Sequence, residues 1–319
     1  MLIYKSKNDK GIKHIFVINP AAGPKSSEEV ISKQLKSLGV ADISEIYVTS
    51  AQRDATEFVR KRCMQSPNEQ LRFYACGGDG TISEVVEGIV GFDNAEMSCY
   101  PCGSGNDYVK YYGGAAAFLD LETLINSEAH PVDLMKVCGR YSINVCNFGF
   151  EAVAAQTMIN VKRKKLIGGK NSYKTGIVAA VFKGMKNKCT VVADGETLNP
   201  DGKMLLCNVA NGQYVGGAYK CAPKSLNDDG LMEICLVKPI SIFKFLSLVG
   251  VYEKGLHIDD PKYENVITYR RAKKVEVTVD SDDFIVCIDG EIEKSGNFDI
   301  EIIPGAIKFA APVKVASTV

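Results

Sequence analysis

Two adjacent glycines and an aspartate separate a strand-like run from a helix-like run in FYACGGDGTISEVVEG, Phe73 to Gly88. A tight strand-to-helix turn leaves backbone N–H groups without partners, and glycine lets an anionic oxygen approach them. Gly77, Gly78 and Gly80 therefore form a candidate phosphate cradle, and the helix opening near Thr81 adds its positive dipole end. A carboxylate at Asp79 would repel a phosphate unless it faces a metal ion or hydrogen-bonds a neighbouring loop. A plain turn with Asp at the helix entry is the competing account.

Other chemistry-bearing stretches accompany it. Asn19-Pro-Ala-Ala-Gly23 and Gly103-Ser-Gly-Asn-Asp107 each follow an apolar run, and Asp289-Gly-Glu291 ends the alternating run DFIVCIDGE. Either carboxylate of that last motif has the chemistry to orient or deprotonate a hydroxyl, although taken alone the motif is better accounted for by an Asp–Gly hairpin turn with a solvated Glu. No GxxxxGK[ST] occurs, and Gly103-Ser-Gly105 has Tyr108 where a dinucleotide fingerprint needs its third glycine. Cys99 and Cys102 have CxxC spacing, but His14, His130 and His257 are not placed to complete a zinc site. The pair is expected to be packing thiols, with a redox dithiol as the alternative.

The elements that position these loops follow from periodicity. The runs Ile15–Ile18, 43–49, 71–75 and 97–101 each end in one of the loops or in a helix start. Ser26 with Glu29, and Thr81 with Glu84, form capping boxes, and a further helix begins near Asp54. Behind Thr81, the side chains of Ile82, Val85, Val86, Ile89 and Val90 recur at helical spacing on one face. Alternating strands and helices imply a parallel sheet with ligand loops at its carboxyl edge. From about Val132 short alternating segments separated by Gly, Asn and Asp take over, which predicts a β-rich antiparallel domain with helical insertions near 151–185 and 241–255. The expected architecture is an α/β, Rossmann-like domain over 1–131 and a β-sandwich over 132–305, with 306–319 returning to the first domain.

Composition narrows the function classes. The 38 basic and 38 acidic residues cancel, so no global field draws the chain to nucleic acid or to an anionic membrane. The first residues lack a leader's apolar core, and Ile240–Tyr252 is too short to span a bilayer, so a cytoplasmic protein is expected. Eleven cysteines scattered singly suit reduced core thiols.

Taken in order, the Asn19, Gly77, Gly103 and Asp289 motifs resemble the diacylglycerol kinase catalytic-domain family, which includes soluble bacterial diacylglycerol kinases and sphingosine kinase-like lipid kinases. The resemblance runs from about Ile12 to Phe309. It implies an NAD-kinase-like first domain contacting ATP through Asn19, Pro20, Ala21, Ala22, Gly23, Thr49, Gly77, Gly78, Asp79, Gly80, Thr81, Ile82, Ser83 and Ser104. It also implies a β-sandwich presenting a lipid acceptor, with Glu291 or Asp289 as the base and no choice between them. A Mg2+ site would use the Asp229 side chain and the backbone carbonyls of Leu226 and Leu231, an Asp–Gly turn being the competing account. The family's GTGNDFAR stands here as GSGNDYVK, and Lys110 cannot reproduce a bidentate arginine contact.

The activity so implied is Mg2+- and ATP-dependent phosphorylation of a lipid hydroxyl, with diacylglycerol giving phosphatidic acid. A kinase for a soluble acceptor such as NAD, and a non-catalytic nucleotide or lipid sensor, are the alternatives. A membrane lipid requires peripheral contact, for which Lys162–Lys165 followed by Leu166 and Ile167 is one surface, a solvated charged face being the other account. An exposed edge strand in the second domain offers a route to a homodimer.

Overall fold

The protein is described by a computed structural model over residues 11–23, 27–164 and 187–312. It divides into two compact units, one formed by Met1–Leu134 with Pro304–Val319 and the other by Met135–Ile303.

In the first unit, β1 (Ile12–Ile18), β2 (Ser44–Val48), β3 (Gln70–Gly77) and β4 (Ala95–Pro101) alternate with α1 (Ser27–Ser37), α2 (Asp54–Gln65) and α3 (Asp79–Ile89). The strands are parallel in the order β4-β3-β1-β2. Ile15, Phe16, Val17, Leu71, Phe73 and Tyr74 are wholly buried, as parallel strands covered on both faces require. The stripe read on α3 is the face that packs: Ile82, Val85, Val86 and Ile89 are buried. Gly88 lets α2 approach, since a Cβ there would lie 2.7 Å from Val59 Cβ.

After a short helix α4 (Leu121–Asn126) the chain enters β5 (Ala129–Val137), β6 (Arg140–Ser142) and β7 (Val145–Gly149), then α5 (Phe150–Lys164). The strands β8 (Asn187–Ala193), β9 (Glu196–Thr197), β10 (Lys203–Met204), β11 (Leu206–Ala210) and β12 (Met232–Val237) lead to α6 (Ile242–Glu253). The remaining strands are β13 (Ile267–Ala272), β14 (Lys274–Val279), β15 (Phe284–Ile288), β16 (Glu291–Ser295) and β17 (Phe298–Ala310).

The second unit contains a six-stranded antiparallel sheet in the order β13-β12-β11-β7-β15-β16. Within the same unit β8 and the first part of β17 flank β14 antiparallel. Phe148, Val209, Ile234, Val286, Val191, Val275 and Ile300 from these strands share one core. Val145, Ala210 and Cys235 point the other way and pack with Leu248 and Tyr252 of α6. Because both of its faces are covered, β11 and β12 read LCNVA and MEICLV, apolar almost without alternation.

β17 belongs to both units. Within the first, Phe309 pairs with Met97 on β4, Ser98 Oγ donates to the Ala310 carbonyl at 2.7 Å, and the Phe309 ring packs on Tyr108 and Tyr112.

Candidate active site

The glycine loops of the first unit are built against one another. Gly77 accepts from the Cys102 N–H at 2.8 Å and the Gly103 N–H at 3.2 Å. A Cβ on Gly103 would sit 2.5 Å from Gly78 Cα, and one on Gly77 would sit 2.1 Å from Thr81 Oγ1. Gly77 and Gly103 are therefore required by loop packing, while a Cβ on Gly78 would be only a tight fit, 3.3 Å from Gly103 Cα. Gly80 differs, since a Cβ there meets nothing within 4 Å. It stands in the first turn of α3, whose N-cap Gly78 supplies no side chain to cap the helix. That combination leaves room and positive potential for an anion.

Asp79 is accounted for by the neighbouring loop. Its Oδ1 accepts from the Asp107 N–H at 2.7 Å and the Tyr108 N–H at 3.2 Å, at the start of the 3-10 turn Tyr108–Tyr112. The carboxylate thus fixes the Gly103–Asp107 loop beside the Gly77–Thr81 turn. Asn19 ties in the first loop: its Nδ2 donates to Thr81 Oγ1 at 3.2 Å and its Oδ1 accepts from the Ala21 N–H at 2.9 Å. Gly23, at φ +77°, lies against Cys102, where a Cβ would be 2.7 Å from Cys102 Cβ.

The ATP-contact residues implied by the resemblance fall into two groups. Pro20, Ala21, Gly23 and Ser104 are exposed, and Ala22, Gly78, Asp79 and Gly80 are partly so. Thr49, Gly77, Thr81, Ile82 and Ser83 are buried, and the Thr49 hydroxyl donates to the Ile18 carbonyl at 3.3 Å. Ile82 and Ser83 point into the core, and the Ile82 N–H is bonded to the Gly78 carbonyl, so these positions shape the loops from behind. Cys99 is buried and Cys102 half-buried, both as free thiols, with burial pushing each thiol up.

In the second unit Ile288 faces Glu291 across β15 and β16, leaving Asp289 and Gly290 as a two-residue turn at φ +47° and +88°. Positive φ at both positions is the geometry that Asp–Gly hairpins supply. The two carboxylates of the motif then part company. Asp289 is 6% exposed and accepts from Ser142 Oγ (2.7 Å) and the N–H groups of Ile143 (2.9 Å), Asn144 (3.1 Å) and Val145 (3.0 Å). Burial pushes its carboxyl above the usual range, against hydrogen bonds that favour the charge. Glu291 is partly exposed, and its Oε2 lies 2.8 Å from Arg140, which also holds Glu293 at 2.5 Å. Arg140 and Ser142 escaped notice in the sequence because ordinary strand and turn positions carry no signal of what they face.

The Asp229 turn is internally satisfied. Its Oδ1 accepts from the Leu231 N–H at 3.1 Å and its Oδ2 is paired with Arg271, which also reaches Glu233 at 3.0 Å. As arranged, the donor set at Leu226, Asp229 and Leu231 does not fit a metal ion, which would have to displace Arg271. Lys162–Ile167 lie outside the residues whose side chains are described, as does Ser26 of the first capping box. No helix among the described residues is long and apolar enough to cross a membrane.

Beside the Asp289 turn, the unit carries a partly open cavity of about 310 Å³ whose lining includes Gly290 and Cys287. Phe150, Leu206, Val215, Phe245 and Leu248 make most of its wall apolar, and Asn147, Glu151 and Tyr252 interrupt it.

Residues 13–137 match the diacylglycerol kinase catalytic domain, and residues 144–311 match the YegS C-terminal NAD kinase beta sandwich-like domain. A protein named diacylglycerol kinase from Bacillus subtilis is 27% identical over 286 residues, covering 86% of this chain and 88% of that one. A "Probable lipid kinase YegS-like" from Pseudomonas fluorescens is 29% identical over 251 residues, covering 76% and 77%. The crystal structure of a diacylglycerol kinase from Bacillus anthracis shares the fold, with a TM-score of 0.69 at 20% identity over 94% of this chain and 96% of that one. Matched by family models over both of its units, the chain belongs to the diacylglycerol kinase and YegS-like lipid kinase family.

Proposed function

We propose that the protein transfers the γ-phosphate of ATP to the hydroxyl of a lipid alcohol, with diacylglycerol as the first acceptor to test. The observation that carries this reading is the apolar cavity bordered by Gly290, one residue from the partly exposed Glu291. An acyl chain is covered by such a wall along its length, which favours a lipid over a mostly polar acceptor such as NAD.

The nucleotide phosphates are assigned to the open first turn of α3 at Gly80 and to the exposed loops at Pro20–Gly23 and Ser104. Mg2+ would accompany the nucleotide and neutralise charge on the phosphates, which is the chemistry a divalent ion supplies in phosphoryl transfer. Glu291 is assigned the role of base because its carboxylate is accessible and oriented by Arg140. Asp289 is assigned a positioning role, since its oxygens are already engaged by the Ser142–Val145 backbone and hydroxyl. It fixes the turn from which Glu291 projects.

A lipid acceptor requires contact with a bilayer or micelle. On α6, Phe243 and Leu246 are 82% and 64% exposed, while Phe245, Leu248 and Val249 of the same helix line the cavity. An amphipathic element with apolar groups on both sides suits a helix that lies in the membrane interface above its own binding pocket.

The test is transfer of labelled phosphate from ATP and Mg2+ to diacylglycerol in mixed micelles, with an NADP-forming assay alongside. Transfer to lipid that falls about 100-fold or more in Glu291→Gln supports the assignment. Transfer to NAD and to no lipid alcohol refutes it.

A further inference from the structure

The polar interruption in the cavity wall is unusually poor in partners. Asn208 Nδ2 donates to the Tyr252 hydroxyl at 2.6 Å, and both side chains hydrogen-bond the Glu151 carboxyl. Even so, Glu151 Oε2, Asn147 Oδ1 and Asn208 Oδ1 are enclosed and have no hydrogen-bond partner among the described residues. Asn147 is 3% exposed and Asn208 is fully buried. Each buried acceptor left this way carries a desolvation penalty that a donor on a ligand would relieve. Glu151 and Asn147 both line the apolar cavity, and a few polar groups set in an apolar wall are the arrangement by which such pockets fix a ligand's orientation.

Burial pushes the Glu151 carboxyl up to about 7. With that value the protonated and charged forms coexist near neutrality, and the protonated form both donates and accepts. A hydroxyl does the same, and so complements it where an ester carbonyl, which only accepts, would leave Asn147 Oδ1 unpaired.

We propose that Glu151 and Asn147 form an anchor for a second hydroxyl of a lipid alcohol, so that the cavity binds lipids with free hydroxyls, of the monoacylglycerol type, in preference to esters that have none. The proposal rests on the lipid-alcohol reading above and adds the chemistry of the acceptor's head. With its chain along Phe150, Leu206, Val215 and Phe245, such a ligand places one hydroxyl at the anchor and another toward Gly290. Glu151 acts here as a specificity residue and takes no part in the proton transfer assigned to Glu291.

The experiment is equilibrium binding of radiolabelled 1-monooleoylglycerol and of methyl oleate from detergent micelles, without nucleotide, so that affinity is read apart from catalysis. The hydroxyl-bearing lipid should bind roughly tenfold more tightly, as expected for a ligand that satisfies buried acceptors. Glu151→Leu should erase the preference and keep methyl oleate binding, whereas Glu151→Gln should retain most of it. Equal binding of the two lipids by the wild-type protein overturns the anchor without recourse to any variant, and so does a preference that survives Glu151→Leu. Phosphoryl transfer measured in parallel separates the two levels. Preference without transfer to any lipid leaves the anchor standing and refutes the kinase reading, and transfer without preference does the reverse.

Discussion

Replacing Glu151 by glutamine tests the buried carboxyl through stability alone. Burial displaces its pKa from 4.5 to about 7 in the fold. At 1.36 kcal/mol per pH unit this corresponds to about 3 kcal/mol. The folded value is raised, so the fold binds the proton more tightly than the unfolded chain. Stability from this group is complete below about pH 4.5 and is lost as pH rises toward 7. His14 and His257 act in the opposite sense: burial pulls both down from 6.5 to about 4, so each withdraws stability as pH falls through that window. The wild-type pH curve therefore mixes terms of both signs, and only the difference between wild type and Glu151→Gln isolates the carboxyl. Glutamine resembles the protonated acid and does not titrate, so the variant should gain on the wild type by roughly 2.5 kcal/mol between pH 5 and pH 8. The assay is urea unfolding followed by circular dichroism at several pH values, the chain having no tryptophan to report by fluorescence. A difference that changes by less than about 0.5 kcal/mol across that range refutes the argument that this carboxyl is buried and uncompensated.

Six further outcomes are expected. Asp289→Asn should cost about 3 kcal/mol or more, because an amide turns a donor toward the N–H groups that the carboxylate now satisfies; Glu291→Gln should lower transfer while leaving the melting temperature within a degree or two of wild type, roughly what a surface change costs. Gly103→Ala should force the two glycine loops apart, since its Cβ would lie 2.5 Å from Gly78 Cα, lowering both stability and ATP affinity. Gly80→Ala, placed in open space, should leave melting unchanged and weaken ATP binding in a titration. Phe243→Ser combined with Leu246→Ser should abolish co-sedimentation with phosphatidylglycerol-containing vesicles, with the fold intact by circular dichroism, because both side chains are already exposed. Mg2+ without nucleotide should not raise the melting temperature, because Arg271 already holds Asp229; a rise of several degrees would mean that the ion displaces the arginine.

The sheet of the first unit was legible because its signals are local. The stripe Ile82, Val85, Val86, Ile89 is a statement about 3.6-residue periodicity, and it matches the face buried in α3. The antiparallel character of the second unit was legible from turn residues between short apolar runs. Its helix-covered sheet was harder to read, because β11 and β12 are buried on both faces and so lack the alternation that marks a half-exposed strand. Glu151 passed unnoticed for a related reason: in VCNFGFEAV a single acidic residue after an apolar run looks like the exposed start of a helix.

What the sequence by itself determined is therefore the order of the glycine loops, the class of each unit and the set of residues able to do chemistry, since these depend on neighbours along the chain. Tertiary structure alone decided what each of those residues does. Asp79 hydrogen-bonds the Asp107 backbone 28 residues later, and Asp289 gathers the backbone of a segment about 145 residues earlier. Asp289 and Glu291 are two residues apart, yet one is sealed by donors and the other meets Arg140 at the surface. The φ values of a two-residue turn, and the strands it happens to join, set which carboxylate faces inward, and no spacing rule along the chain encodes that direction.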